Sequence, residues 1–193
     1  MKYVIPLFTI LFIACNTNKK VPVVSYHKEG VLFYYPEDWA ITEEERFDGG
    51  FYLSCEKKGL NSSGLFTCSY VDFILDEAAM IELFIDEMKS NPLYQSSALD
   101  FYSQTDTVFS GYPCVRSDFR ASVIGIEHHG SIHCFQACQR TIAVLFQEAT
   151  EDIEANQQGF ETVAASFKCD PNAPIQDLPI EEIEFESDST EVL

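Results

Sequence analysis

Apolar positions along the chain follow two rhythms. Residues 30–35, "GVLFYY", read as a strand, and "PEDW" turns the chain at its end. "FYLSCE" and "LFTCSYVDF" look like the arms of a hairpin around a Gly/Ser-rich turn. The rhythm then changes. Met80, Ile81, Phe84, Ile85 and Met88 recur at the spacing that gathers side chains on one helical face. Asp76 stands where an N-cap belongs, Glu77 suits the positive helix start, and Pro92 marks the stop.

Strands resume after the helix. "LDFYSQTDTVFSG", "PCVRSDFRASVIGI", "SIHCFQACQ" and "TIAVLFQE" alternate or run apolar, separated by Gly-Tyr-Pro, His-His-Gly and Gln-Arg breaks. A last helix is predicted with Thr150 as its cap and Glu151 and Asp152 in its first turn. Ile153, Gln157, Phe160, Val163, Ala164 and Phe167 lie mostly on one face. The pattern predicts an α+β domain, an antiparallel sheet of about six to seven strands packed with two helices, over residues 26–170. Sixteen Phe, nine Tyr and one Trp are enough to fill such a core, and Phe33, Trp39 and Phe101 are assigned to it.

The chain begins differently. Lys2 precedes the apolar run Tyr3 to Ala14, 12 residues ending at Cys15. A membrane-spanning helix needs about 20 apolar residues, so this run is too short to span and reads as an export signal. Its end, "FIAC", resembles the lipobox of bacterial lipoproteins. The resemblance implies cleavage after Ala14 and a diacylglycerol thioether on Cys15, residues 1–14 being the signal and 15–25 a lipidated tether. Acyl chains anchor because each buried methylene contributes about 0.8 kcal/mol.

Charge narrows the partners. Twelve basic residues against 31 acidic ones give a net charge of −19. Seven of the acids fall in residues 171–193, which hold no Lys or Arg and are predicted to be disordered. Nucleic acid rewards basic patches and is excluded as a partner, as are anionic lipid surfaces; the membrane is reached through the lipid alone.

Seven cysteines are present, six of them beyond Cys15. In an oxidising compartment these are expected to be paired. Cys55 and Cys68 lie symmetrically about Asn61-Ser62, so the hairpin is expected to bridge them. On one strand Cys134 and Cys138 would stand roughly 13 Å apart, too far to bond, since each residue rises about 3.3 Å. Cys114, Cys134, Cys138 and Cys169 are therefore expected to form disulfides in a pairing the spacing leaves open.

"VLFYYPEDW" before a hairpin and helix, then "VFSGYPCVRSDF", then "GFETVAASF", resemble the PsbP-like α/β sandwich superfamily. That group includes extrinsic photosystem II subunits, DcrB-type bacterial lipoproteins and a Ran-binding import factor. The matching positions are Phe33, Tyr35, Pro36, Trp39, Gly111, Pro113, Ser166 and Phe167, and the resemblance spans about residues 26–168. It implies a binding or assembly module with no catalytic residues to transfer. The cysteines are not part of it.

Candidate chemistry is sparse. "EHHGSIHC" gathers Glu127, His128, His129, His133 and Cys134, of which His129 and His133 are the weak candidates for a metal. Neighbours on a strand point to opposite faces, so solvated turn histidines are expected and no metal or other cofactor is assigned. Arg116 and Arg120 alternate with Asp118, an arrangement explained by internal ion pairing. No redox CxxC, phosphate-cradling loop or nucleophile elbow occurs, so an enzyme is not expected. The resulting expectation is a lipid-anchored envelope protein, in the periplasm or at the cell surface, serving as a non-enzymatic accessory module for another envelope protein. A carrier or sensor of a small apolar ligand is the alternative, with metal binding less favoured.

Overall fold

The computed structural model describes residues 22–59, 62–95 and 98–172. Ala14, Cys15, most of the expected tether and the acidic residues from 173 onward lie outside them.

Two antiparallel sheets form the frame. β1 (Val23–Lys28) and β2 (Val31–Pro36) pair as a hairpin, and β11 (Lys168–Cys169) joins the other edge of β2. The larger sheet has eight strands. β3 (Trp39–Phe47) is its edge, followed by β4 (Gly50–Lys57) and β5 (Leu65–Val71). Next come β10 (Arg140–Ala149), β9 (Ile126–Ala137) and β8 (Tyr112–Val123). β6 (Leu99–Phe101) and β7 (Thr105–Phe109) both pair with β8.

Each face of the large sheet has its own cover. On one lies α1 (Glu77–Ser90), whose Met80, Ile81, Ile85 and Met88 pack against Phe119, Ile132, Cys134, Ala143 and Leu145. Asp76 caps it, accepting from the Ala79 amide at 2.9 Å, and Pro92 opens the single turn α2 (Pro92–Gln95). On the opposite face the small sheet and α3 (Ile153–Ser166) enclose Phe33, Phe66, Phe135, Phe146, Val163 and Phe167. Phe33 and Trp39 are core residues, as the pattern indicated, and Phe101 is half-buried.

Turn chemistry fixes the registers. Four hairpins close with two residues of positive φ: Glu29-Gly30, Ser110-Gly111, Ile124-Gly125 and Cys138-Gln139. Such turns match the right-handed twist of the strands they join. Three place glycine second. The fourth has none, and its Cys138 is disulfide-bonded to Cys169, with Cα atoms 6.2 Å apart.

Several sequence expectations need correction. The α+β class holds, with eight strands in the large antiparallel sheet and three in the small one, while β1 begins at Val23, ahead of the expected domain start at residue 26. β3 was hidden because its "TEEE" run faces solvent at a sheet edge and lacks apolar alternation. "LDFYSQTDTVF" breaks into β6 and β7 at Tyr102–Gln104. Thr150 does not cap the last helix. It opens a 3-10 turn (Thr150–Asp152), and its hydroxyl donates to the Glu127 carbonyl. The buried line of α3 is Asn156, Gly159 and Val163, with Ile153 and Gln157 outside it. Gly159 sets that rotation, since a Cβ there would stand 2.6 Å from the Trp39 ring.

Candidate functional site

Where the small sheet and α3 stop short of the β8–β9 end, the large sheet is left uncovered as a cleft of about 710 Å³. Strand alternation puts Arg116, Asp118 and Arg120 of β8 on its floor. Register sets them opposite His133, Ser131 and His129 of β9. Phe109, Phe146, Phe160 and Ala164 form the apolar wall. Glu148 of β10 is paired with His129, so Arg120, His129 and Glu148 form one row across three adjacent strands.

The charges in this row are unequally satisfied. Arg116 donates twice to Asp118 Oδ1, at 2.8 and 2.6 Å, which is the internal pair the sequence indicated. Arg120 has no hydrogen bond or ion pair among the described residues and is exposed. His129 Nε2 lies 3.5 Å from a Glu127 oxygen. Burial pushes the Glu148 carboxyl above its ordinary range, and the nearby Asn156 amide offsets part of this. Oε2 of Glu148 is nevertheless buried without a hydrogen-bond partner, as is Asn156 Nδ2.

His133 is the most enclosed member of the floor. Its ring sits 5.2 Å from that of Phe109 and 6.0 Å from that of Phe146. Burial, reinforced by Arg116, pulls its pKa down to about 4. Ser131 Oγ lies 3.1 Å from Nε2 and Cys114 Sγ 4.0 Å from Nδ1. This resembles a nucleophile and base in outline only. The imidazole is a weak base, no carboxylate orients it, and burial raises the Cys114 thiol pKa.

The histidines are strand residues, not solvated turn residues: the turn is Ile124-Gly125, and β9 carries all three. His128 points to the opposite face, 3.3 Å from Gln147 Nε2. His129 and His133 share a face but stand four residues apart, roughly 13 Å of strand, so they cannot close on one ion. Among the described residues, no three His, Cys, Asp or Glu side chains converge as a metal set.

The expected disulfide between Cys55 and Cys68 is absent. Cys55 faces Phe66 and Cys68 faces Leu53, a register two residues out from the symmetric one. Cys114 and Cys134 are also free and buried; they belong to opposite faces of the sheet and cannot meet. Burial raises the thiols of Cys55 and Cys68 to about 12 and that of Cys134 further. Only Cys138 and Cys169, of the six, are bonded.

A second concavity, about 630 Å³, lies on the other face between α1 and the β3–β5 half of the sheet. Leu65, Phe84, Met88, Tyr94 and Leu145 line its floor, and Glu43, Glu45 and Glu87 its rim. Leu83 is more than half exposed beside it. No local pattern marks it, because its lining runs from Glu43 to Gln147, more than 100 positions along the chain.

This architecture occurs in solved structures. The solution structure of cyanobacterial PsbP from Synechocystis sp. PCC 6803 superposes with a TM-score of 0.54 at 15% identity, covering 81% of this chain and 97% of that one. The domain therefore has a PsbP-like fold. LpqN of Mycobacterium tuberculosis, involved in cell envelope biogenesis, aligns at 11% identity over 79% of this chain and 92% of its own, with a TM-score of 0.49. The Saccharomyces cerevisiae Ran-binding protein Mog1p aligns at 6% identity over 77% and 96%, with a TM-score of 0.49. No family model and no curated protein matches the sequence. Among the described residues no helix is long and apolar enough to cross a membrane.

Proposed function

We propose that this chain is a lipid-anchored envelope protein whose PsbP-like domain is a non-enzymatic accessory module for another envelope protein. The groove between α1 and β3–β5 carries this reading: an apolar floor, two methionines able to repack against varied side chains, and an exposed Leu83 within an acidic rim. The signal-like start and Cys15 supply the anchor. The raised thiol pKa values and the weakly basic His133 favour binding over catalysis.

The test is gentle detergent extraction from native membranes followed by native mass spectrometry. A stoichiometric protein companion, lost on Leu83→Asp, is the expected result. A chain that always emerges alone, or one whose Cys15→Ser variant stays fully membrane-bound, overturns the reading. The floor of the β8–β9 cleft favours a second activity of the same domain, the holding of a small, partly apolar ligand.

A further inference from the structure

α1 carries a second stripe beside the one it packs into the core. Met80, Leu83, Phe84, Glu87, Met88 and Asn91 recur at intervals of three and four and line the groove toward β3. Leu83 is 58% exposed there, and Phe47, also in the lining, is 43% exposed. The sheet beneath explains the vacancy. α1 packs on Phe119 of β8, Ile132 and Cys134 of β9 and Ala143 and Leu145 of β10, so it is centred over β9. β5 lies two strands further on, about 10 Å away at 4.8 Å per spacing. Packed helices stand about 8–10 Å apart, so the β3–β5 half of this face has room for one more helix beside α1.

Charge says what kind of helix. Alternation divides β3 between two faces. Glu44 and Arg46 turn to the small sheet, where Lys28 pairs with the first and Glu29 and Asp72 with the second. Glu43 and Glu45 turn to the groove, exposed and without a basic partner among the described residues. Glu87 on α1 is exposed and unpaired in the same way, and no Lys, Arg or His lines the groove. Tyr52 lies within reach of this charge: burial first, then Glu43, Glu56 and Glu87, push its phenol pKa up.

From these relations we infer that the groove receives an amphipathic helix of a partner protein, its apolar stripe on Leu83 and Phe84 and its lysines or arginines against Glu43, Glu45 and Glu87. This deepens the accessory-module reading and rests on it. The chain's own residues 171–193 hold seven acids and no Lys or Arg, and a second copy at −19 brings the same rim, so both are repelled. A wholly apolar helix would take water from the glutamates and return no counter-charge. A wholly basic segment would leave Leu83 and Phe47 uncovered.

The probe is a fluorescein-labelled helix of the same 14-residue length as α1, with leucines on one face and lysines flanking them. Its anisotropy is read against the full-length protein in phosphatidylcholine nanodiscs, with empty nanodiscs as the blank. Versions with glutamate for lysine, and with proline in the middle, run beside it and should not bind measurably. Glu43→Lys with Glu45→Lys is expected to weaken the lysine helix about tenfold, as two exposed ion pairs become repulsions. Asp106→Lys with Glu154→Lys makes the same change of charge at exposed positions away from the groove, and should weaken it less than about twofold. Leu83→Ser should weaken it severalfold by removing apolar contact. Equal weakening by the two double variants would mean attraction by net charge alone and overturn the inference. A glutamate or proline version that binds as tightly as the lysine helix overturns it too. The accessory reading is decided separately, by whether the native companion is lost in Leu83→Asp. If the companion is lost there while no lysine helix binds, the accessory reading stands and the basic-helix assignment falls.

Discussion

Arg140 and Asp72 meet in the interior, the arginine Nε donating to Oδ1 at 2.7 Å with both side chains closed off from water. Arg46 reaches the second carboxylate oxygen, and the Arg140 guanidinium lies 4.4 Å from the Tyr70 ring centre. The Tyr70 hydroxyl in turn donates to the Glu29 carbonyl in the β1–β2 turn at 2.7 Å. This network fastens the small sheet to the large one. Asp72→Ala leaves a buried guanidinium without its carboxylate and is expected to cost about 3–5 kcal/mol. Asp72→Leu combined with Arg140→Met should cost much less. Urea midpoints of the three proteins decide it.

The cysteines predict a clean chemical pattern. An aromatic disulfide reagent should find none of Cys55, Cys68, Cys114 and Cys134 in the native domain and all four after unfolding without reductant. Cys169→Ser removes a crosslink between residues 31 apart and should lower stability by about 3–4 kcal/mol if chain entropy dominates. Six reactive thiols in the unfolded, unreduced domain would contradict the assigned bond.

Acid should weaken the fold through His133. Its pKa falls from the ordinary 6.5 to about 4 in the native state. Between those values the unfolded chain binds a proton that the native chain refuses, so stability declines as pH falls through this window and is flat above it. The full loss is on the order of 3 kcal/mol. Arg116 and Asp118 face the ring and are kept unchanged. His133→Gln should flatten this part of the profile relative to the parent, measured by urea unfolding at pH 7.5, 6 and 5.

Gly159→Ala tests the seat of Trp39. Alanine would favour the helix by about 1 kcal/mol, yet its Cβ would meet the indole at 2.6 Å. Overpacking of this kind costs about 1–3 kcal/mol, so the variant is expected to be net destabilised. A gain in urea midpoint would show that Trp39 can move aside.

Local patterns were readable where one element decides its own fate. Asp76 and Met80 through Met88 mark α1 because cap and apolar face belong to a single segment. β8 stands out by its alternation and β10 by its continuous apolar run. What depends on register was not readable: an offset of two residues separates Cys55 from Cys68, and no spacing in the sequence encodes it. The "EHHGSIHC" segment drew notice for its ligand chemistry, but its meaning changed once β8 and β10 were placed beside it. Arg120 was indistinguishable from Arg116 until Asp118 was seen to serve only one of them. Glu148 gave no signal, since its environment comes from residues far along the chain.

At the β3 edge, Glu43, Glu44 and Glu45 are exposed in succession on the last strand of the large sheet. An open edge offers its amides and carbonyls to any passing strand, and an identical chain is the nearest candidate when copies are crowded together. Two such edges paired antiparallel about Glu44 would set Glu44 against Glu44 and Glu43 against Glu45, like charges that oppose the pairing. The glutamates thus act as a guard against edge-to-edge growth of the sheet into a fibre.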